Sequence, residues 1–188
     1  HRLRRLAAVT RDGAEVLLQA NLELPRELEQ AVDAGAGGIG LLRTEFLYMN
    51  REDLPDEDEQ FEAYAALVRG MEGKPVTIRT LDIGGDKMAA PLAKMLAADS
   101  PNPAMGLRAI RLSLKERKLL DVQLGAMLRA SALGPVRILL PMITTVTELK
   151  KTRDALAQVA RRLKRRGVRL PKQIPPLGVM IEVPGAAL

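Results

Sequence analysis

Residues 76–87, VTIRTLDIGGDK, decide how the fold is read. VTIRTL begins as a short apolar strand and gives way to a polar turn, with Arg79 where the strand runs out. The same arrangement stands at 38–47, GIGLLRTEFL, where Arg43 follows the apolar Ile39-Gly40-Leu41-Leu42. Each strand is followed by a helix-like segment, as in a parallel α/β barrel. In such a barrel the C-terminal strand ends converge on one face, and that face carries the active site. Two guanidiniums brought there form a bidentate clamp for a dianion such as phosphate. Spacing alone leaves a second reading open, in which each arginine caps its strand or pairs with Glu45 or Asp82.

Working outward, strands alternate with helices, which points to a parallel sheet. Ala14 to Leu22 reads as the first strand, and Pro25 opens a helix at the position where its missing N–H is harmless. Ile39 to Arg43 is the second strand. The acidic PDEDEQ then places carboxylates at the positive end of a helix whose apolar stripe is Phe61, Tyr64, Ala65, Val68 and Met71. Val76 to Leu81 is the third strand. An irregular stretch from Gly84 to about Met105 follows, with Pro91, Pro101 and Pro103; connections of that length are usually functional or disordered. Residues 107–132 read as a helix in two pieces, Val136 to Ile143 as the fourth strand, and Leu177 to Val183 as the fifth.

A closed barrel of this type takes eight strands. The expectation is therefore an incomplete parallel (β/α)8 TIM-type barrel with about five of its eight strands, over residues 13–188. Residues 1–12 read as the tail of a linker from a preceding domain. Two unpaired sheet edges and an uncovered inner face are expected to make the isolated chain associate.

Composition excludes several classes. The chain has 188 residues, 47% of them hydrophobic, enough for a real core, and no apolar run long enough to span a membrane. The start, HRLRRLAAVTRDG, is too polar for a signal peptide. Cysteine is absent, which removes disulfide and thiol chemistry and fits a cytoplasmic protein. With aromatics at 2% and no Trp, stacking platforms for single-stranded nucleic acid are lacking. The net charge of +6 is uneven: residues 150–172 hold ten Lys or Arg against Asp154 alone. Leu149, Leu156, Val159, Ala160 and Leu163 give that block an apolar stripe, so it reads as an outer barrel helix rather than a non-catalytic basic binding module.

GAGGIG at 35–40 satisfies G-x-G-x-x-G, but it follows a helix and enters a strand, the reverse of a dinucleotide fingerprint. It reads as a helix C-cap and a tight turn. Gly84-Gly85 lacks a Walker ending; beside Lys87 it makes a loop able to approach a ligand, with Lys87 either a phosphate point charge or paired to Asp86. Glu182 ends the apolar run GVMIE. A lone carboxylate there needs a partner, either a divalent cation such as Mg²⁺ or a barrel arginine such as Arg43 or Arg79.

RTEFL at 43–47, LPDEDEQF at 54–61, IRTLDIGGDK at 78–87, NPAMGLRAIRLSL at 102–114, QLGAMLRAS at 123–131, ILLPMIT at 138–144 and GVMIEVPGAA at 178–187 occur in order. Together they resemble the phosphoenolpyruvate–protein phosphotransferases, Enzyme I of the bacterial phosphotransferase system. RTE alone is shared with pyruvate phosphate dikinases and phosphoenolpyruvate (PEP) synthases, the alternative family; RTLDIGGDK separates them. The resemblance implies a full PEP-binding barrel behind a phosphohistidine domain, and transfer of the PEP phosphoryl group to a protein histidine as the first step of sugar uptake. It implies that Arg43, Arg79 and Arg108 lie in the PEP site, with Lys87 beside them, and that Glu182 is a Mg²⁺ ligand. It further implies a homodimer built through this domain and a phosphocarrier protein as partner, with no nucleic acid and no membrane. The family's acceptor histidine, acid cysteine, Asn-Asp pair and further phosphate arginine are not matched in this sequence, His1 lying outside the histidine motif. The chain by itself is expected to be inactive. Arg111 is expected to be structural.

Overall fold

The computed structural model describes residues 6–83 and 106–188. Its centre is one sheet of five parallel strands: β1 (Ala20–Leu22), β2 (Ile39–Leu42), β3 (Val76–Arg79), β4 (Val136–Leu140) and β5 (Leu177–Val179). Each strand pairs with the next in sequence, in the order β1-β2-β3-β4-β5. That order is the wall of a (β/α) barrel. Among the described residues β1 and β5 each have one neighbour, so the sheet is open.

The helices are α1 (Leu28–Asp33), α2 (Glu57–Gly70), α3 (Ala109–Lys115), α4 (Arg117–Ala130), α5 (Val146–Arg165) and the short α6 (Pro184–Ala187). α2 starts where the acidic run predicts: the Asp56 carboxylate accepts the Glu59 N–H at 2.8 Å, and Glu57, Asp58 and Glu59 fill the first turn. Its buried face holds Tyr64, Ala65, Leu67 and Val68, and also Gln60, a polar residue the stripe does not anticipate. Phe61 is only partly buried; the Arg129 guanidinium lies 4.2 Å from its ring centre. The two-piece helix breaks at Glu116, whose φ of −96° and ψ of 70° are not helical.

α5 begins with a capping box, Thr145 receiving the Glu148 N–H and Glu148 receiving the Thr145 N–H. Leu156, Val159, Ala160 and Leu163 are buried, as their spacing predicts for an outer helix. Arg162 pairs with Asp121 of α4 at 3.3 Å and Arg166 with Glu57 of α2 at 3.3 Å, so two of the cations also tie helices together. No helix among the described residues is long and apolar enough to cross a membrane.

The glycines of GAGGIG behave as a turn. Gly35 has φ of +82°, and a Cβ on Gly38 would stand 2.7 Å from the Pro75 carbonyl oxygen. The first strand needs correction: of residues 14–22, only Ala20–Leu22 joins the sheet. The chain before it folds back instead, with an antiparallel bridge from Val9 to Glu15 closed by a turn in which Gly13 has φ of +87°. Val16, Leu17 and Leu18 are exposed. They lie beside a cavity of about 390 Å³ lined by Ala20, Ala31 and Gly37 among others. An apolar run predicts a strand only where the sheet covers it, and here it lies at the open edge. The other strands end one to four residues sooner than predicted because their last residues turn out of the sheet, at the end where the arginines stand.

Candidate functional site

Arg79 is the last residue of β3, and its side chain is 11% exposed. Two carboxylates hold it. Nη2 lies 3.3 Å from Glu45 Oε1, and Nη1 lies 3.1 Å from Asp82 Oδ2. The other Asp82 oxygen accepts from Arg108 Nη2 at 2.9 Å. One carboxylate therefore joins two guanidiniums. The Asp82 N–H also donates to Glu45 Oε1, at 2.9 Å, which fixes the turn after β3 against the turn after β2. Arg108 sits at the N-cap of α3 in extended backbone, so its side chain leaves the helix start toward Asp82.

Arg43, the first residue past β2, is placed differently. It pairs with Glu23, just past β1, and its side chain is 41% exposed. The ion pairs among the described residues bring Arg79 and Arg108 together and leave Arg43 one strand away. For Arg79 the second reading left open by the sequence is what the structure contains, since it pairs with both Glu45 and Asp82. Lys87 lies outside the described residues. Arg111 donates to Thr144 Oγ1 at 2.9 Å and to the Gly106 carbonyl at 3.2 Å, connecting α3 to the turn before α5.

Two arginines and two carboxylates leave the Arg79 cluster near neutrality. A phosphate dianion entering it gains from donors rather than from net charge, and the donors exist. The buried Nε atoms of Arg43, Arg79 and Arg108 have no hydrogen-bond partner among the described residues. Orphaned buried donors are costly, and an anion satisfies them. Arg117, on the outer α4, shares the trait, so the cluster is marked by convergence and not by the orphan donor alone.

Under the cluster runs a buried polar chain that sequence reading missed. Gln123 of α4 accepts the Leu81 N–H at 2.9 Å and donates to Thr44 Oγ1 at 3.2 Å and Tyr64 Oη at 3.3 Å. Thr44 Oγ1 donates to the Arg79 carbonyl at 3.0 Å. Tyr64 and Tyr48 both donate to Gln60 Oε1, whose amide N–H reaches the Pro55 carbonyl. Burial pushes the phenols of Tyr48 and Tyr64 well above the ordinary tyrosine range, so both stay neutral donors. The available signal was a glutamine on an apolar helical face, Gln123 among Leu119, Leu120, Leu124 and Met127.

Glu182 lies three residues past β5. Its Oε1 accepts the Met142 N–H at 2.7 Å, its side chain faces solvent, and it forms no ion pair with Arg43 or Arg79. Among the described residues no group of three or more His, Cys, Asp or Glu is placed to hold a metal ion. Glu182 fits a metal as one oxygen ligand with one oxygen to spare, not as a complete site.

Parallel strands with basic residues gathered at their C-terminal ends are the setting in which a known domain is found. The family model described as "PEP-utilising enzyme, PEP-binding domain" matches residues 1–188. The chain belongs to this family. Among similar proteins, that of Cupriavidus necator is 49% identical over 188 residues, 100% of this chain and 32% of its own length. That of Listeria monocytogenes is 46% identical over 187 residues, again 100% of this chain and 32% of its own. That of Staphylococcus carnosus is 44% identical over 186 residues, with 99% and 32% covered. All three are named phosphoenolpyruvate-protein phosphotransferase. The chain thus spans about a third of the length of these relatives. In this chain Arg79 and Arg108 stand on one carboxylate at the end of the sheet where barrels carry their sites.

Proposed function

We propose that the full-length protein carrying this chain transfers the phosphoryl group of PEP to a protein histidine, from which a phosphocarrier protein receives it for sugar uptake. The observation that carries this reading is the Arg79–Asp82–Arg108 cluster in a chain of the PEP-binding-domain family. Arg79 and Arg108 hold the phosphoryl oxygens, with Arg43 at the margin and Lys87 as a further candidate cation. Glu45 and Asp82 hold the Arg79 guanidinium, and Asp82 holds that of Arg108, so little reorganisation is needed when charge shifts. As the bond from phosphorus to the enol oxygen breaks, phosphorus passes to an imidazole nitrogen and the enolate takes a proton to become pyruvate. Fixed guanidiniums aimed at the oxygens where charge develops supply the main stabilisation in such a transfer.

Mg²⁺, when bound, offsets the charge of PEP that the near-neutral arginine cluster leaves unbalanced. Glu182, with a free oxygen near the same end of the sheet, is the residue that would hold it, together with oxygens of the substrate. A homodimer built through this domain and a cytoplasmic location belong to the same reading.

The experiment is to incubate the full-length protein with PEP labelled on phosphorus, with and without Mg²⁺, and to follow acid-labile label on protein alongside pyruvate release. The expected result is Mg²⁺-dependent, stoichiometric appearance of both. Pyruvate formation that needs a nucleotide would favour a dikinase or synthase instead, and neither product would overturn the proposal.

A further inference from the structure

Gln123 touches both strand-end turns of the cluster from below. It is 1% exposed, on α4, in an otherwise apolar surround. A primary amide has two N–H donors and one carbonyl oxygen. Both kinds of group are engaged: the oxygen takes the Leu81 N–H, and the nitrogen faces Thr44 Oγ1 and Tyr64 Oη. Those contacts reach the arginines by two routes. Thr44 Oγ1 donates a hydrogen bond to the carbonyl of Arg79, the residue whose guanidinium heads the cluster. Leu81 immediately precedes Asp82, which pairs with both Arg79 and Arg108.

Outward, the sheet holds both turns, the Thr80 N–H on the Leu139 carbonyl and the Arg43 N–H on the Leu22 carbonyl, but between β2 and β3 its pairing stops short of them. β3 ends at Arg79 and β2 at Leu42, and their register pairs stop at Leu42 with Ile78. Beyond that point the two turns are joined by the Asp82 N–H on Glu45, by Thr44 Oγ1 on the Arg79 carbonyl, and by Gln123, which bonds Thr44 and Leu81 at once from the buried side. Buried amide networks of this kind, when every member is satisfied, fix one arrangement of the groups they bind. Leaving one member out strands the others in a dry interior.

We propose that Gln123 is a positioning residue for the phosphate-binding arginines: it sets the spacing between the turn carrying Arg43 to Glu45 and the turn carrying Arg79 to Asp82, and so the placement of Arg79 and Arg108. This rests on the function proposed above. Gln123 does not reach the ligand; it acts through Thr44 and Leu81.

The test uses the full-length protein with Gln123→Met and Gln123→Glu, each compared with wild type for melting temperature, kcat and KM for PEP. Methionine keeps the length and the packing but supplies neither contact. Its kcat/KM is expected to fall tenfold or more, mostly in kcat, at temperatures where circular dichroism shows the variant folded. Exchange of the Leu81 amide hydrogen is expected to rise while that of Ile78 does not. Glutamate restores both a donor and an acceptor only when protonated, and burial raises its pKa. Its deficit relative to wild type should therefore shrink between pH 8 and pH 6, each variant measured against wild type at the same pH. That pH dependence gives a readout should Gln123→Met fail to fold. A Gln123→Met protein that melts lower but keeps kcat/KM within twofold, or a Gln123→Glu deficit flat with pH, would overturn the proposal. The wild-type arm separates the two ideas: no PEP turnover by the wild type overturns the proposed function, whereas normal wild-type turnover with an unaffected Gln123→Met overturns only the role of Gln123.

Discussion

The two strand-end arginines named first by the sequence stand in unlike surroundings. Arg43 is 41% exposed, held by Glu23 alone, next to an edge strand of three residues. Arg79 is 11% exposed, held by Glu45 and Asp82, and its backbone is bonded to Thr44 over a buried glutamine and two buried tyrosines. An exposed ion pair is weak and screened by salt, commonly about 0–1 kcal/mol. A half-buried pair backed by hydrogen bonds keeps its geometry because leaving it strands other groups. The same residue in the same strand-end position is therefore an exposed cation with one carboxylate at β2 and an enclosed one with two at β3. What separates them is the support beneath, which comes from α2 and α4.

The comparison breaks first at Arg79. In the full-length protein Arg79→Lys keeps the charge and loses the fork that holds two oxygens. Turnover of PEP should fall about a hundredfold, about 3 kcal/mol, with kcat falling more than KM rises. Near-normal turnover would make Arg79 a structural ion-pair residue.

A second test concerns the floor under Arg79. Tyr48 and Tyr64 have folded pKa values raised by burial, so the unfolded chain loses their protons first as pH rises. Their contribution is fully present below the unfolded value near pH 10 and is lost as pH climbs above it. The unfolding free energy should drop by about 1.4 kcal/mol per pH unit for each tyrosine in that range. Urea titrations between pH 9 and pH 11 check this, and Tyr64→Phe should roughly halve the slope. An unchanged slope would mean that these phenols are not sealed from water.

Arg43→Lys should act more gently. An exposed side chain with one partner loses less from losing its fork, and a fall in kcat/KM of roughly threefold is expected, more at low salt than at high. A loss as large as that of Arg79→Lys would show that ligand binding recruits Arg43 into the cluster. Smallest of all is Arg165→Lys, an exposed change on α5 far along the outer face, which should leave turnover and melting temperature unchanged.

Much of this was legible in the sequence. The alternation of strand and helix, the stripe of α5 and the acidic start of α2 follow from spacing and end chemistry, which are local. The strand-end positions of Arg43 and Arg79 follow from where apolar runs stop, whereas Glu182, read near the end of the fifth strand, lies three residues past it. What was not legible depended on partners distant in sequence. That Asp82 would join Arg79 to Arg108 spans 26 residues, and that Gln123 would reach Thr44 spans 79. Helical period places Gln123 on the buried face, yet no spacing rule says which backbone group it meets there. The run Val16-Leu17-Leu18 was misread for a related reason: strand propensity needs a covering layer, and at the open edge none is present among the described residues.

The central claim is that Arg79 and Arg108 act as one unit through Asp82, while Arg43 acts apart. A double-mutant cycle on kcat/KM for PEP in the full-length protein tests it directly, using Arg79→Lys with Arg108→Lys and, as the contrast, Arg79→Lys with Arg43→Lys. Groups sharing a partner couple by about 0.5–3 kcal/mol, and independent ones add to within about 0.5 kcal/mol. The account predicts that the Arg79–Arg108 double variant is about tenfold better than the product of its single losses, and that the Arg79–Arg43 double variant matches that product. Additive losses for Arg79 with Arg108, or stronger coupling for Arg79 with Arg43, would contradict it.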